Sequence, residues 1–170
     1  MGGKFRTETN EGFRHMTKIL KLTGLAIAAV FLGMQFFRPE RTNPPVDDGR
    51  TLYARLSVPD DVRSILDRSC MDCHSNTTRW PWYSNIAPAS WIVVGDVNEA
   101  RKQLNLSDFA QYKSLRAVGR LDMMCENMQD GIMPLPKYVI MHPDTKLSRE
   151  EINRFCDWVE SVRDSLASEE

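Results

Sequence analysis

Sixteen consecutive residues, Leu22 to Phe37, carry no charge. Extending the run back to Ile19, with Lys21 reaching outward along its aliphatic stem, makes nineteen residues. As a helix they span about 28 Å, close to the hydrocarbon thickness of a bilayer. No ordinary soluble core needs so long an uncharged run, so the chain is read first as a membrane-anchored one. A tail (1–18) precedes an anchor (19–37). Residues 1–21 hold five basic and two acidic side chains, a net +3. This places the N-terminus in the cytoplasm and everything after Phe37 on the exported side.

A cleaved signal peptide is the rival reading, with a buried core helix as a third. Cleavage wants a shorter apolar run followed by small residues. The run instead exits through Gln35-Phe36-Phe37-Arg38-Pro39, which is bulky, and no Cys follows it for lipid attachment. The next segment has three prolines between Pro39 and Pro45 and reads as an extended spacer, with the linker drawn over 38–57.

The remainder, 58–168, reads as one all-α domain. Pro59-Asp60-Asp61 starts a helix carrying Val62, Ile65 and Leu66. A second follows Pro88, with Trp91, Val94, Val97, Arg101 and Leu104 along one stripe and Trp91 read as core. Ser107-Asp108 is expected to cap a third, running through Phe109, Tyr112, Leu115, Val118, Leu121, Cys125 and Met128 to a stop at Gly131. Ser148-Arg149-Glu150-Glu151 is a capping box for a fourth. No segment alternates as a strand does. The overall net charge of −1 resolves into +3 before the run and −4 from Arg38 onward. That balance argues against a nucleic-acid-binding chain.

Cys70-Met71-Asp72-Cys73-His74 is a C-x-x-C-H run. Two thiols at this spacing match the two vinyl groups of haem, and the adjacent imidazole ligates the iron. Four Cys and three His in the chain would supply such a run by chance only about 0.002 times. A thioredoxin-like dithiol would want a βαβ setting, which is absent from the pattern. A zinc site would need a fourth ligand, such as Cys125 or Cys156. One covalently held haem c is therefore the expected cofactor. For the second axial position Met133, in Gly131-Ile132-Met133-Pro134, competes with His142 and its neighbour Met141. Most of the nine methionines are expected to be core filler.

These residues resemble the bacterial haem-binding domain family, small membrane-anchored proteins similar to monohaem c-type cytochromes. The resemblance runs through Gln35-Phe36-Phe37-Arg38-Pro39, Asn43-Pro44-Pro45, Cys70-x-x-Cys73-His74-Ser75-Asn76, Thr78-Arg79-Trp80-Pro81-Trp82-Tyr83-Ser84, Ile86-Ala87-Pro88 and Ser90-Trp91. It continues through Leu104-Asn105-Leu106-Ser107, Met133-Pro134, Tyr138, His142-Pro143-Asp144 and Leu147-Ser148. It implies that Met133 takes the distal position. Ala100 stands where the family usually has glycine, a change that a helix tolerates.

Arg79, Trp82 and Tyr83 are candidates to hold the haem propionates, by a guanidinium–carboxylate pair and ring N–H or O–H donors. Ordinary aromatic packing is the competing reading. Asn76-Thr77-Thr78 matches a glycosylation sequon but is discounted in a chain of bacterial appearance. Cys125 and Cys156 are left over, as a disulfide or as two buried thiols. The expected role is single-electron transfer at the membrane surface with an unidentified redox partner, and not catalysis. A haem sensor with an open distal position is the alternative, and a small peroxidase a more distant one.

Overall fold

In the computed structural model, which describes residues 5–167, the chain forms eight α-helices among the described residues and no strand. It divides into two units. One takes the residues up to Glu40 together with Pro81–Ile92; the other takes Arg41–Trp80 and the chain from Val93 onward.

The first unit is dominated by α1 (Phe5–Met34), which tightens into a 3₁₀ turn at Gln35–Phe37. Gly12–Phe37 is long and apolar enough to cross a membrane, and none of it is buried by the rest of the protein. Leu22, Leu25, Ile27, Val30 and Leu32 are all exposed. Such a face is costly in water and is satisfied by hydrocarbon. The exit of the helix is pinned within this unit. The Gln35 side-chain amide exchanges two hydrogen bonds with the Ala87 backbone, at 3.0 and 3.1 Å. Arg38 Nη1 donates to the Asn85 carbonyl. Trp91, expected in the core, is exposed; its Nε1–H donates to the Phe37 carbonyl at 2.8 Å. An indole needs a partner for its one donor, and here that requirement holds the ring at the surface.

The second unit carries α2 (Leu52–Arg55), α3 (Asp60–Ser69), α4 (Met71–His74), α6 (Ser114–Gln129), α7 (Pro136–Met141) and α8 (Arg149–Ala167), with most of α5 (Ala89–Gln103). Asp60 and Asp61 in the first turn of α3 suit its N-terminal dipole. Val62, Ile65 and Leu66 face a core shared with Leu106, Phe109, Leu121, Phe155, Val159 and Leu166. Leu52 and Leu56 belong to the same core. The helices α6 and α8 pack side by side and are joined by a Cys125–Cys156 disulfide, Cα atoms 5.3 Å apart. The capping box of α8 forms both reciprocal bonds, Ser148 N–H to Glu151 Oε2 at 2.8 Å and Glu151 N–H to Ser148 Oγ at 3.2 Å.

The helix expected from Ser107 to Gly131 is two elements. A 3₁₀ segment covers Leu106–Gln111, Tyr112 and Lys113 are extended, and α6 starts at Ser114. One long-range bond and one local bond meet at the break. The Tyr112 carbonyl accepts from Arg55 Nη1, and the Tyr112 hydroxyl accepts the Asn105 N–H at 3.2 Å. Leu115, placed on the apolar face by periodicity, is consequently exposed.

Candidate haem site

A single turn of helix gathers the C-x-x-C-H run. The Cys73 and His74 amides both bond the Cys70 carbonyl, at 3.2 and 2.9 Å. Positions i, i+3 and i+4 of such a turn share one face. Cys70, Cys73 and His74 accordingly line the same cavity, of about 450 Å³. The volume lies in the range of small-molecule and cofactor sites, and the walls are mainly apolar, as such sites require. Leu104, Met123, Met124, Met128, Leu135 and Leu147 supply much of that wall.

His74 is oriented by its backbone neighbour. Nδ1 lies 3.1 Å from the Leu104 carbonyl oxygen. A carbonyl only accepts, so Nδ1 carries the hydrogen and Nε2 keeps its lone pair for a metal. Burial holds the imidazole below its ordinary pKa, outweighing the bonds to the Leu104 and Ala100 carbonyls, and so favours this neutral form. Burial also pushes the Cys70 thiol up to about 12 and the Cys73 thiol up to about 11. They are free thiols, in contrast to the bonded Cys125 and Cys156. That disulfide takes both candidates for the fourth ligand of a zinc site.

Met133 lines the same cavity. Its position follows from the way α6 ends. Gly131 adopts φ +69°, the left-handed conformation that glycine accommodates best. The Ile132 N–H then reaches back to the Asn127 carbonyl at 2.9 Å and the Gly131 N–H to the Met128 carbonyl at 3.2 Å. This is a Schellman cap, which satisfies carbonyls that a helix end leaves unpaired. The Met133 N–H shares the Asn127 carbonyl at 3.0 Å, so the backbone of Met133 is held by the cap itself.

His142 does not line the cavity. Its ring stacks on Tyr138, centroids 4.4 Å apart, and Tyr138 does line it. Arg79 is largely exposed and its guanidinium engages Asp72. Trp82 and Tyr83 lie in the first unit, edge to face at 5.7 Å, and Arg79 is not among the residues that line the cavity. Asn76 is buried, with its side chain bonded to Pro45 and Asn105.

Three further features bear on the site. Met123, Met124 and Met128 line the cavity. Ala100, the departure from the family pattern, lines the same cavity. Arg101 bonds the Ser75 carbonyl (2.7 Å), the Thr42 carbonyl (2.8 Å), Asn43 Oδ1 (2.9 Å) and Thr78 Oγ1 (2.8 Å), tying the Pro-rich segment to the loop that leaves His74. Helical spacing from Leu104 marked Arg101 only as a stripe residue; its four acceptors come from chain far away in sequence.

The donor set fits haem. Two thiols, an imidazole of set tautomer and a thioether residue line one mainly apolar cavity. The model of a haem-binding domain family matches residues 29–161 of the chain. No curated protein and no solved structure matches it.

Proposed function

The chain belongs to the haem-binding domain family, and from that we propose that it is a membrane-anchored monohaem c-type cytochrome that carries single electrons. One observation carries the reading: both thiols and the oriented imidazole of Cys70-x-x-Cys73-His74 line one apolar cavity with Met133. Cys70 and Cys73 would hold the porphyrin through thioether bonds, and His74 and Met133 would hold the iron. When bound, haem supplies a one-electron iron couple whose potential a thioether ligand raises. The protein's part is to exclude water with its methionine and leucine walls and to hold both ligands still through backbone bonds.

The haem domain works on the exported side of the membrane, against a protein redox partner. The charge of +3 ahead of the apolar run supports this orientation. The use of Gln35 and Arg38 in hydrogen bonds to Ala87 and Asn85 supports a helix that stays attached after export. The protein is an electron carrier and not an enzyme in this reading.

A haem stain on a denaturing gel, paired with an absorption spectrum, tests it. Stain in the wild type and none in Cys70→Ala/Cys73→Ala is expected, with a low-spin ferric spectrum and a methionine–iron charge-transfer band. An unstained wild type would overturn covalent attachment. A high-spin spectrum with rapid carbon monoxide binding would establish a sensor instead.

A further inference from the structure

The two residues between the cysteines are open to any identity as far as attachment chemistry goes. Asp72 nevertheless accepts four hydrogen bonds. Oδ1 takes the Arg79 N–H at 3.1 Å and Arg79 Nε at 2.9 Å. Oδ2 takes Arg79 Nη2 at 3.0 Å and the Tyr138 hydroxyl at 2.8 Å. The Asp72 side chain is 14% exposed and that of Arg79 71%. The carboxylate is thus the sheltered centre of the group, with the arginine closing it from solvent.

Tyr138 comes from a distant part of the sequence. It lies five residues after Met133, on α7, and lines the cavity. The segment that bears Met133 is therefore fastened at both ends. On its N-terminal side the Asn127 carbonyl holds the Ile132 and Met133 amides. On its C-terminal side the Tyr138 hydroxyl holds the attachment turn through Asp72, and the stacked His142 braces the Tyr138 ring.

We infer that Asp72, Arg79 and Tyr138 form a tether that fixes the Met133 segment relative to the attachment turn, which makes Asp72 and Tyr138 positioning residues of the haem site. The inference rests on the proposed axial role of Met133. It gives His142 a part in the site without making it a ligand: it supports the tyrosine. Losing the tyrosine hydroxyl leaves both thiols, His74 and Met133 in place but frees the loop between them.

The test uses the full, haem-loaded chain as wild type, Tyr138→Phe, Asp72→Asn and the double variant. Haem staining is expected in all four. In either single variant, amide exchange over residues 131–141 accelerates about ten-fold, and imidazole binds the ferric protein about ten-fold more tightly. That is the size expected from one charge-assisted hydrogen bond. The charge-transfer band weakens in parallel, and the double variant adds little to either single one. Wild-type exchange and imidazole affinity in Tyr138→Phe would overturn the tether; if that variant fails to fold, Asp72→Asn decides by the same two measurements. A wild type without the charge-transfer band would sink the methionine ligation alone, and the exchange rates would still decide the tether.

Discussion

The Met133 amide lies 3.0 Å from the Asn127 carbonyl oxygen, in the last turn of α6. The distal candidate is thereby fixed by a helix cap, and the cap depends on Gly131 at φ +69°. A Cβ built on Gly131 would meet nothing within 4 Å. The penalty for Gly131→Ala is then one of backbone conformation alone, about 1 kcal/mol. Urea unfolding of the haem-loaded protein should show that loss, with a weaker methionine–iron band. An unchanged midpoint would mean that the cap does not constrain the loop.

Met133→Ala is expected to abolish the charge-transfer band and to open the iron to imidazole. His142→Ala should keep the band, because His142 stacks on Tyr138 and does not line the cavity. The reverse outcome would exchange the two residues' roles.

The Cys125–Cys156 disulfide joins residues 31 apart in sequence. Closing a loop of that length restricts the unfolded chain, so Cys125→Ser/Cys156→Ser should lose about 2–4 kcal/mol in urea titration. Intact mass should rise by two hydrogens on reduction after unfolding. A haem site that keeps its spectrum in this variant would show that the staple serves stability and not ligation.

Glu151 is held below its ordinary carboxylate value by the Ser148 N–H and by the Arg68 guanidinium. A depressed folded-state pKa means the ionised form favours the native state. The contribution is complete above the unfolded value, near 4.5, and is lost as pH falls through the folded value. Glu151→Gln should therefore lower stability at pH 7 and flatten the fall in stability below about pH 4.5. Thermal unfolding across pH 3–7 measures both. A variant with the wild-type pH profile would contradict the capping role of the carboxylate.

Local rules were enough wherever one turn of backbone settled the outcome. The capping box at Ser148–Glu151, the start of α3 at Asp60 and the stop at Gly131 depend on neighbours a few residues away, and each appears in the structure where its sequence signal stands. The gathering of Cys70, Cys73 and His74 on one face belongs to the same class. Periodicity failed at Tyr112, where the helix breaks and the carbonyl is taken by Arg55 from a distant part of the chain. It failed again at Trp91, whose indole N–H is claimed by the Phe37 carbonyl.

The sequence by itself determined the helical class, the long apolar segment and haem binding, because these rest on run length, periodicity and a five-residue motif. Only the tertiary structure decided that Met133 and not His142 lines the cavity, that Cys125 faces Cys156, and that Asp72 meets Tyr138. Those pairings join residues between 31 and 66 positions apart. No local propensity encodes them; they follow from which helix faces the core buries, and in what order the helices then stack.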